Sequence, residues 1–472
     1  MKRFMNTTGL AAFLLALFLF SCRVGKVYKQ PELELPAQFS AVSFADTSSI
    51  ADIGWKTFFT DTTLQALIQK GIDHNHDLLA ALKRIGIAEQ QVRQAKALML
   101  PELSLNVVGQ YNRPSDNSLN GKSVSSFLNK NHVENYSAGL NLSWEADIWG
   151  KIKQQKETAL AAYLQTLEGA KAVQTKLVAD ISQGFFNLLM LDEQLKIARK
   201  NLLLSDSFVT ATRLLKDAAV VNGLAVQQAE AQRQSTALLI PSLEQDISLQ
   251  ENALQLLTGQ LPGSLHRSAF LAGIEMNGDV KTGLPVAMVS RRPDVRSVEL
   301  ALVIANAKVG ITQANMYPAL NLTVGGGLES FKASNWFNIP NSLFGLAAGT
   351  IAQPIFKRRE LKTQFEVAKI EREEAVIRFR QSVLVATTEV ADALVEADKL
   401  EEQRKLAQAR VQTLNLAVSH AQLLFKSDMA NYLEVITAQT NGLQAELDLA
   451  TIQRSQLDAR VELYRALGGG WK

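Results

Sequence analysis

The chain has 472 residues, 47% of them hydrophobic, with 49 basic against 46 acidic side chains for a net charge of +3. That balance is too near neutral for a nucleic-acid binder, and a single cysteine, Cys22, excludes an internal disulfide framework. Only 27 glycines and 11 prolines punctuate the chain, and the gaps between them are long enough for long helices.

Met1–Ser21 reads as a secretory signal: Lys2 and Arg3, the apolar run Leu10–Phe20, then small Ser21. No apolar run reaches the roughly 20 residues that a membrane-spanning helix needs, so any membrane crossing must be made by strands. Leu19-Phe20-Ser21-Cys22 has the form of a bacterial lipobox, although Phe20 is bulky for its position. It predicts diacylglycerol attachment at Cys22; the alternative is an ordinary signal peptide with an incidental cysteine. Residues 22–62 are polar and broken by Pro31 and Pro36, the composition of an extended arm.

The first large block is expected over 63–262. A helix over Asp77–Leu100 stops at Pro101. Leu103, Leu105 and Val107 then alternate with polar residues, predicting a strand over about 102–111. Asn112–Asn135 is rich in Asn and Ser and reads as an exposed loop, and a return strand follows at about 137–145. Trp149-Gly150-Lys151 comes directly after this strand and opens a helical pattern to about Asp217, some 100 Å at 1.5 Å per residue. A strand running into so long a helix without a real loop suits a chain that leaves a membrane and crosses an aqueous gap. Ala218–Gly223 is a turn, and a helix over Leu224–Leu257 is expected to kink at Pro241 before Gly259 and Pro262 end it.

Residues 263–290 read as a linker, and a second block over 291–472 starts the pattern again. Arg292-Pro293-Asp294 opens a helix ending at Pro318, and strands are expected at about 319–328 and 343–353. Lys357 to about Lys426 contains neither glycine nor proline; after a break at Ser427–Asn431 a last helix runs to Leu467, where three glycines stop it. Pro101 matches Pro318, Gly139-Leu140 matches Gly345-Leu346, and Val220–Val226 matches Met429–Val435. The offsets of 217, 206 and 209 residues, each the later number less the earlier, indicate an internal repeat. Two blocks give four strands, which cannot close a barrel in lipid. Copies must share the work, and composition leaves dimer and trimer both open.

No catalytic constellation is present: no paired cysteines, phosphate-cradling glycine loop or nucleophile elbow. His74 and His76 read as a polar helix entry, not a metal pair. No enzyme activity, cofactor or metal is expected.

Several motifs carry a family resemblance. Leu142-Ser143-Trp144-Glu145-Ala146-Asp147-Ile148-Trp149-Gly150 resembles the signature of TolC-like outer-membrane efflux proteins, in the lipoprotein branch typified by OprM and NodT. Trp55, Phe58, Asp61 and Leu64, Gly283-Leu284-Pro285 with Arg291–Val295, Asn431–Val435 with Gln439, and Tyr464–Trp471 resemble further family segments. The resemblance implies a mainly α protein with a transmembrane β-barrel: a homotrimer whose twelve strands, four per chain, continue into a long periplasmic α-helical barrel. It implies a passive outer-membrane exit duct working with a periplasmic adaptor and an inner-membrane transporter, expected to be of the RND type. A periplasmic coiled-coil adaptor or structural lipoprotein tethered through Cys22 is the competing reading. The cargo stays open, because a wide tunnel carries little imprint of its load.

In the resembling proteins the helical turns constrict the tunnel. Asp428 and Asp217 are therefore candidates for acidic rings, and Asn222, Gly223, Asn431 and Tyr432 for adaptor contacts. Solvated turn aspartates are the plain alternative. Trp336 and Phe337, in the second outer loop, suit either the lipid headgroup belt or a plug at the outer mouth.

Overall fold

Hydrophobic alternation, proline placement and helix caps translate into twelve principal elements. In chain order these are α1 (Thr62–His74), α2 (His76–Ala97), β1 (Glu102–Asn112), α3 (Leu119–Leu128), β2 (Val133–Ala146), α4 (Lys151–Asp217), α5 (Gly223–Leu257), α6 (Pro293–Ala314), β3 (Ala319–Ser330), β4 (Leu343–Ala352), α7 (Glu360–Lys426) and α8 (Tyr432–Ala466). The computed structural model describes residues 24–32, 49–277 and 291–472. The signal segment, Cys22 and Gly283-Leu284-Pro285 lie outside the described residues. The chain falls into two compact units. One draws on residues up to Pro31, Gly86–Leu164 and Leu300–Ile377, and the other on Glu32–Ile85, Gln165–Glu299 and Arg378–Lys472.

The first unit holds a single antiparallel sheet in the order β1-β2-β3-β4. Its register, with Leu103 opposite Leu142, Leu142 opposite Val324 and Leu322 opposite Gly349, gives the sheet two unlike faces. One face carries Leu103, Leu105, Val107, Leu140, Leu142, Leu322, Val324 and Ile351. Leu103 and Leu105 are 64% and 67% exposed, which no water-soluble sheet of this composition tolerates over a whole face. The other face carries Ser104, Asn106, Asn141, Ser143, Asn321, Thr323 and Thr350. An apolar exterior alternating with a polar interior is the pattern of strands that face lipid on one side and water on the other.

The register also fixes the repeat. His76 and Ala97 at the ends of α2 correspond to Pro293 and Ala314 of α6, 217 residues later (293 minus 76). From the second strand onward the offset is 209: α4 at Lys151–Asp217 becomes α7 at Glu360–Lys426, and α5 at Gly223–Leu257 becomes α8 at Tyr432–Ala466. The lost eight residues lie in the outer connection, 20 residues long at 113–132 but 12 at 331–342. Two expectations need correcting. Glu102 pairs with Ser143 and Ala319 with Ala352, so Gly139 corresponds to Ala348 and not to Gly345. The three-residue slip is odd and places Leu346 on the face opposite to that of Leu140. Residues 112–135 are not all loop: both strands extend into them, and α3 forms there with Ser118 accepting from Gly121 N at its start and Asn129 in the left-handed conformation at its end. The α5 helix runs through Pro241.

In the second unit the ends of short and long helices meet through the same device in both halves. Asn75 accepts from Leu78 N, capping α2, and donates its amide to the Leu257 carbonyl at the end of α5, 3.0 Å away. In the second half Arg292 takes this place and donates to the Ala466 carbonyl at 3.0 Å. The short helix thus abuts the end of the shorter hairpin arm, α2 on α5 and α6 on α8. Arg292 is 3% exposed and also holds Asp294 at 2.6 Å and Glu389 at 2.7 Å. Burial pushes the Asp294 carboxyl up, but the bond and charge of Arg292 outweigh it and the group lies below its ordinary range. The neighbouring Arg291 reaches Asp52 at 3.1 Å, and Phe58 stacks on Tyr464 at 4.1 Å, tying the N-terminal arm to the C-terminus.

Replacing Arg292 with Leu removes the buried cation shared by the solvent-reached carboxylates of Asp294 and Glu389 and its bond to the Ala466 carbonyl, and should cost roughly 2 kcal/mol, with Lys costing less; thermal unfolding of the purified protein measures it. On α8, burial pushes the Asp458 carboxyl up to about 7, against the pull of Arg454 and with a further push from Glu396. A raised carboxyl destabilises the fold as pH climbs from the unfolded value through 7. Asp458→Asn should therefore raise the unfolding temperature at pH 8 and leave it unchanged or lower at pH 5.

Candidate functional site

Three places concentrate polar side chains with defined jobs. The first is the strand-to-helix junction. Asp147 accepts from Ile152 N and Lys153 N, both at 2.9 Å, so its carboxylate caps α4 and sits at the positive end of the helix dipole. Gly150 has φ +73°, a turn that costs glycine nothing. Trp149 stacks on Tyr317 with centroids 4.8 Å apart, and its ring N–H donates to the Pro318 carbonyl at 2.7 Å. Trp144 donates to the Met99 carbonyl at 3.0 Å, and Glu145 pairs with Lys151 at 2.5 Å. All five motif residues therefore work at one corner: the two tryptophans satisfy the Met99 and Pro318 carbonyls, while Asp147, Gly150 and Glu145 cap, turn and brace the start of α4. The second half answers with other residues. Gln353 donates to the Met316 carbonyl at 3.1 Å where the first half uses Trp144, and Arg359, φ +67°, stands where the first half has Gly150.

The described residues after Cys22 dock on this same corner. Val24 N donates to the Trp149 carbonyl at 3.2 Å, and Gln154 donates to the Val24 carbonyl at 2.9 Å. Gln154 is seated against Gly310, where any Cβ would collide with its amide oxygen at 1.6 Å. Gln154 and Gly310 carry no sequence signal and escape a reading by motif.

The second place is the pair of helical turns. Each long helix ends with one left-handed residue, Ala219 (φ +60°) and Asp428 (φ +57°). Val220 N donates back to the Leu215 carbonyl and Met429 N to the Leu424 carbonyl, both at 2.9 Å, a six-to-one closure. Asn222 then accepts from Ala225 N at 3.2 Å, while Asn431 accepts from Leu433 N and Glu434 N. Both asparagines are N-caps, and Gly223 and Tyr432 are the first helical residues after them. Beneath the turns Phe208, Val209, Ala229, Phe425 and Val435 form a buried cluster, with Phe208 and Phe425 centroids 5.3 Å apart and Tyr432 packed on its edge. Asp217 and Asp428 are both exposed, but they are not equivalent. Asp428 corresponds to Ala219, and Asp217, the last residue of α4, corresponds to Lys426.

The third place is the outer connection. Trp336 packs against Tyr136 at 5.6 Å and Phe337 at 5.0 Å and donates to the Leu328 carbonyl at 3.3 Å, while Phe337 stays 70% exposed. Among the described residues no helix is long and apolar enough to cross a membrane, and no group of three His, Cys, Asp or Glu converges as a metal site. His74 and His76 flank Asn75 at the boundary of α1 and α2, as the entry reading expects.

A sheet apolar on one face and polar on the other, feeding long helices through capped corners in two copies, defines a membrane-spanning β protein with a helical extension. The comparisons agree. The family model described as outer membrane efflux protein matches residues 67–260 and 284–469, one stretch per repeat. The cation efflux system protein CusC of Escherichia coli O6:H1 is 30% identical over 477 residues, spanning 99% of this chain and all of that protein. The solvent efflux pump outer membrane protein SrpC of Pseudomonas putida is also 30% identical, over 96% of this chain and 97% of its own length. A crystal structure of CusC superposes with a TM-score of 0.85 at 28% identity, covering 95% of this chain and all of that one. The open-state MtrE channel of Neisseria gonorrhoeae gives 0.85 at 25% identity, over 96% and 99% of the two chains.

The chain belongs to the outer membrane efflux protein family. It is an outer-membrane exit duct, and channels of this family work with adaptor and inner-membrane pump partners in tripartite efflux systems. The two-faced sheet also removes the competing reading of a helical adaptor tethered in the periplasm, which has no use for an exposed apolar strand surface.

Trp149→Phe keeps the stack on Tyr317 but loses the bond to Pro318. It should cost about 1 kcal/mol, and Trp149→Ala should cost several times more; heat resistance of the detergent-solubilised protein compares them.

Proposed function

We propose that three copies of this chain assemble into one duct, twelve strands closing a barrel in the outer membrane and the paired long helices continuing it as a periplasmic tunnel. The observation that carries this reading is the two-faced sheet of four strands, which has free edges at β1 and β4 and the same strand-to-helix corner built twice. The boundaries 63–262 and 291–472 are the two halves of each wall segment, with 263–290 linking them.

The duct is passive and performs no chemistry. Adaptor and inner-membrane transporter, of the RND type, supply selectivity and energy. Relatives include a cation efflux protein and a solvent efflux protein, so the cargo class is small toxic solutes in the broad sense. Cys22 carries the lipid. Val24 is fastened to the Trp149 corner, and two residues span at most roughly 7 Å, which suits an acyl chain entering the inner leaflet. Asn222, Gly223, Asn431 and Tyr432 meet the adaptor. Asp428 at the second turn, with Asp217 at the first, lines the aperture, where three copies of a carboxylate repel one another and favour cations. Trp336 and Phe337 sit at the headgroup level of the outer mouth.

Deleting the chain and restoring it from a plasmid, against a panel of metals, drugs and solvents, tests the duct. Sensitivity should appear on deletion and vanish on complementation, and the adaptor should co-purify with the restored protein. No change for any toxicant would count against export. In reconstituted channels Asp428→Ala should lower the cation preference, and a conductance indifferent to salt and pH would remove the aspartate ring.

A further inference from the structure

The polar face of the sheet has an apolar interruption that the export role leaves unexplained. Across the strands, Asn106 lies opposite Gly139, Gly139 opposite Gly327, and Gly327 opposite Phe344. One row nearer the helices, Ser104, Asn141, Gly325 and Leu346 stand in line. Phe344 and Leu346 therefore sit on the same face as Asn106, Ser104 and Asn141, the face read as the bore. Phe344 is the second residue of β4, close to the outer connection.

The floor beneath the ring is glycine. A Cβ on Gly139 would stand 2.9 Å from the Phe344 Cζ, and a Cβ on Gly327 would stand 2.2 Å from the Ala138 carbonyl oxygen. Strands β2 and β3 thus approach too closely for side chains here, and the ring lies in the hollow that two missing side chains leave. Even so Phe344 keeps 37% of its surface exposed, and Leu346 keeps 54%. Apart from Val108 and Val133, the other strand positions on this face hold Ser, Thr, Asn, Gln, Glu, Ala or Gly.

We propose that Phe344, with Leu346, forms an apolar collar on the bore wall near the outer mouth, one ring from each copy, which narrows the passage and sets the size of solute that clears the barrel. The collar rests on the trimeric-barrel reading. Hydrophobic constrictions hinder water and ions more than their width alone would, because the wall offers no hydrogen bonds in exchange for hydration. An amphiphilic solute loses less there, since it can lay its apolar part against the rings.

The test places one reporter thiol on the bore face beyond the collar, by Asn321→Cys in an otherwise full-length protein in intact cells. A bulky maleimide and a small one are then added outside. Phe344→Ala should speed the reaction of the bulky reagent about threefold or more, with the small reagent unchanged. Gly139→Ala should slow the bulky reagent, because the new methyl drives the ring into the bore. Phe344→Ala combined with Gly139→Ala should lose that slowing, whereas damage to strand pairing would persist. Leu343→Ala, on the opposite face, should change nothing. Heat-resistant trimers on a gel are scored in parallel. Trimers present with bulky-reagent rates unmoved by Phe344→Ala would overturn the collar alone. A chain that forms no trimers would overturn the barrel reading and the collar with it.

Discussion

A sheet of four strands has two edges, and each edge here is a row of N–H and C=O groups that no other strand among the described residues meets. In water such edges are tolerable; in hydrocarbon each unpaired group costs several kcal/mol. The apolar face of this sheet commits it to hydrocarbon, since Leu103, Leu105, Leu140 and Ile351 would otherwise lie bare in water. The two demands have one joint solution, in which the β1 edge of one copy meets the β4 edge of the next until the ring closes. The length of the helices, the doubled plan of the chain and the corner between strand and helix all serve that closure.

Duplication makes the architecture economical, and it also shows which features are fixed by geometry and which by residue. A carbonyl at the end of the short helix is met in both halves, by Trp144 at Met99 and by Gln353 at Met316. A left-handed residue precedes both long helices, Gly150 in one half and Arg359 in the other. The seam between the short helix and the shorter hairpin arm is closed by Asn75 in the first half and by buried Arg292 in the second. Backbone requirements are kept while side chains diverge. The charged version, with Asp294 and Glu389 around Arg292, makes the second seam depend on charge balance as the first does not.

Much of this was legible in the residues. Alternation marked β1 to β3, and the absence of proline marked α4 and α7 over their whole length. The repeat was visible because Pro101 and Pro318 are unambiguous landmarks. Strand β4, Leu-Phe-Gly-Leu-Ala-Ala-Gly-Thr-Ile-Ala, lacks that alternation, so its residues alone do not fix which of them face lipid. Gly139-Leu140 and Gly345-Leu346 look alike, yet cross-strand pairing puts Leu140 on the lipid-type face and Leu346 on the polar one. The collar residues were hidden by that ambiguity. Helix α3 was hidden by composition, since Ser and Asn belong to loops and only Ser118 and Asn129, acting as its caps, give it away. Gln154 and Gly310 form a contact between distant segments, which no local pattern encodes. At the turns Asp428 was readable as a carboxylate near a tip, but its left-handed backbone and its equivalence to Ala219 needed the coordinates.

The account turns on whether the free edges of neighbouring copies meet. With Cys22 left to its lipid, single cysteines introduced along β1 and along β4 in one chain would report this directly after mild oxidation in the membrane. The account predicts pairs of positions that give a covalent species of three chains, in a ladder that shifts by two residues along both strands together. A folded, membrane-extracted protein in which every such pair stays a single chain, or joins β1 to β4 within one copy, would contradict it.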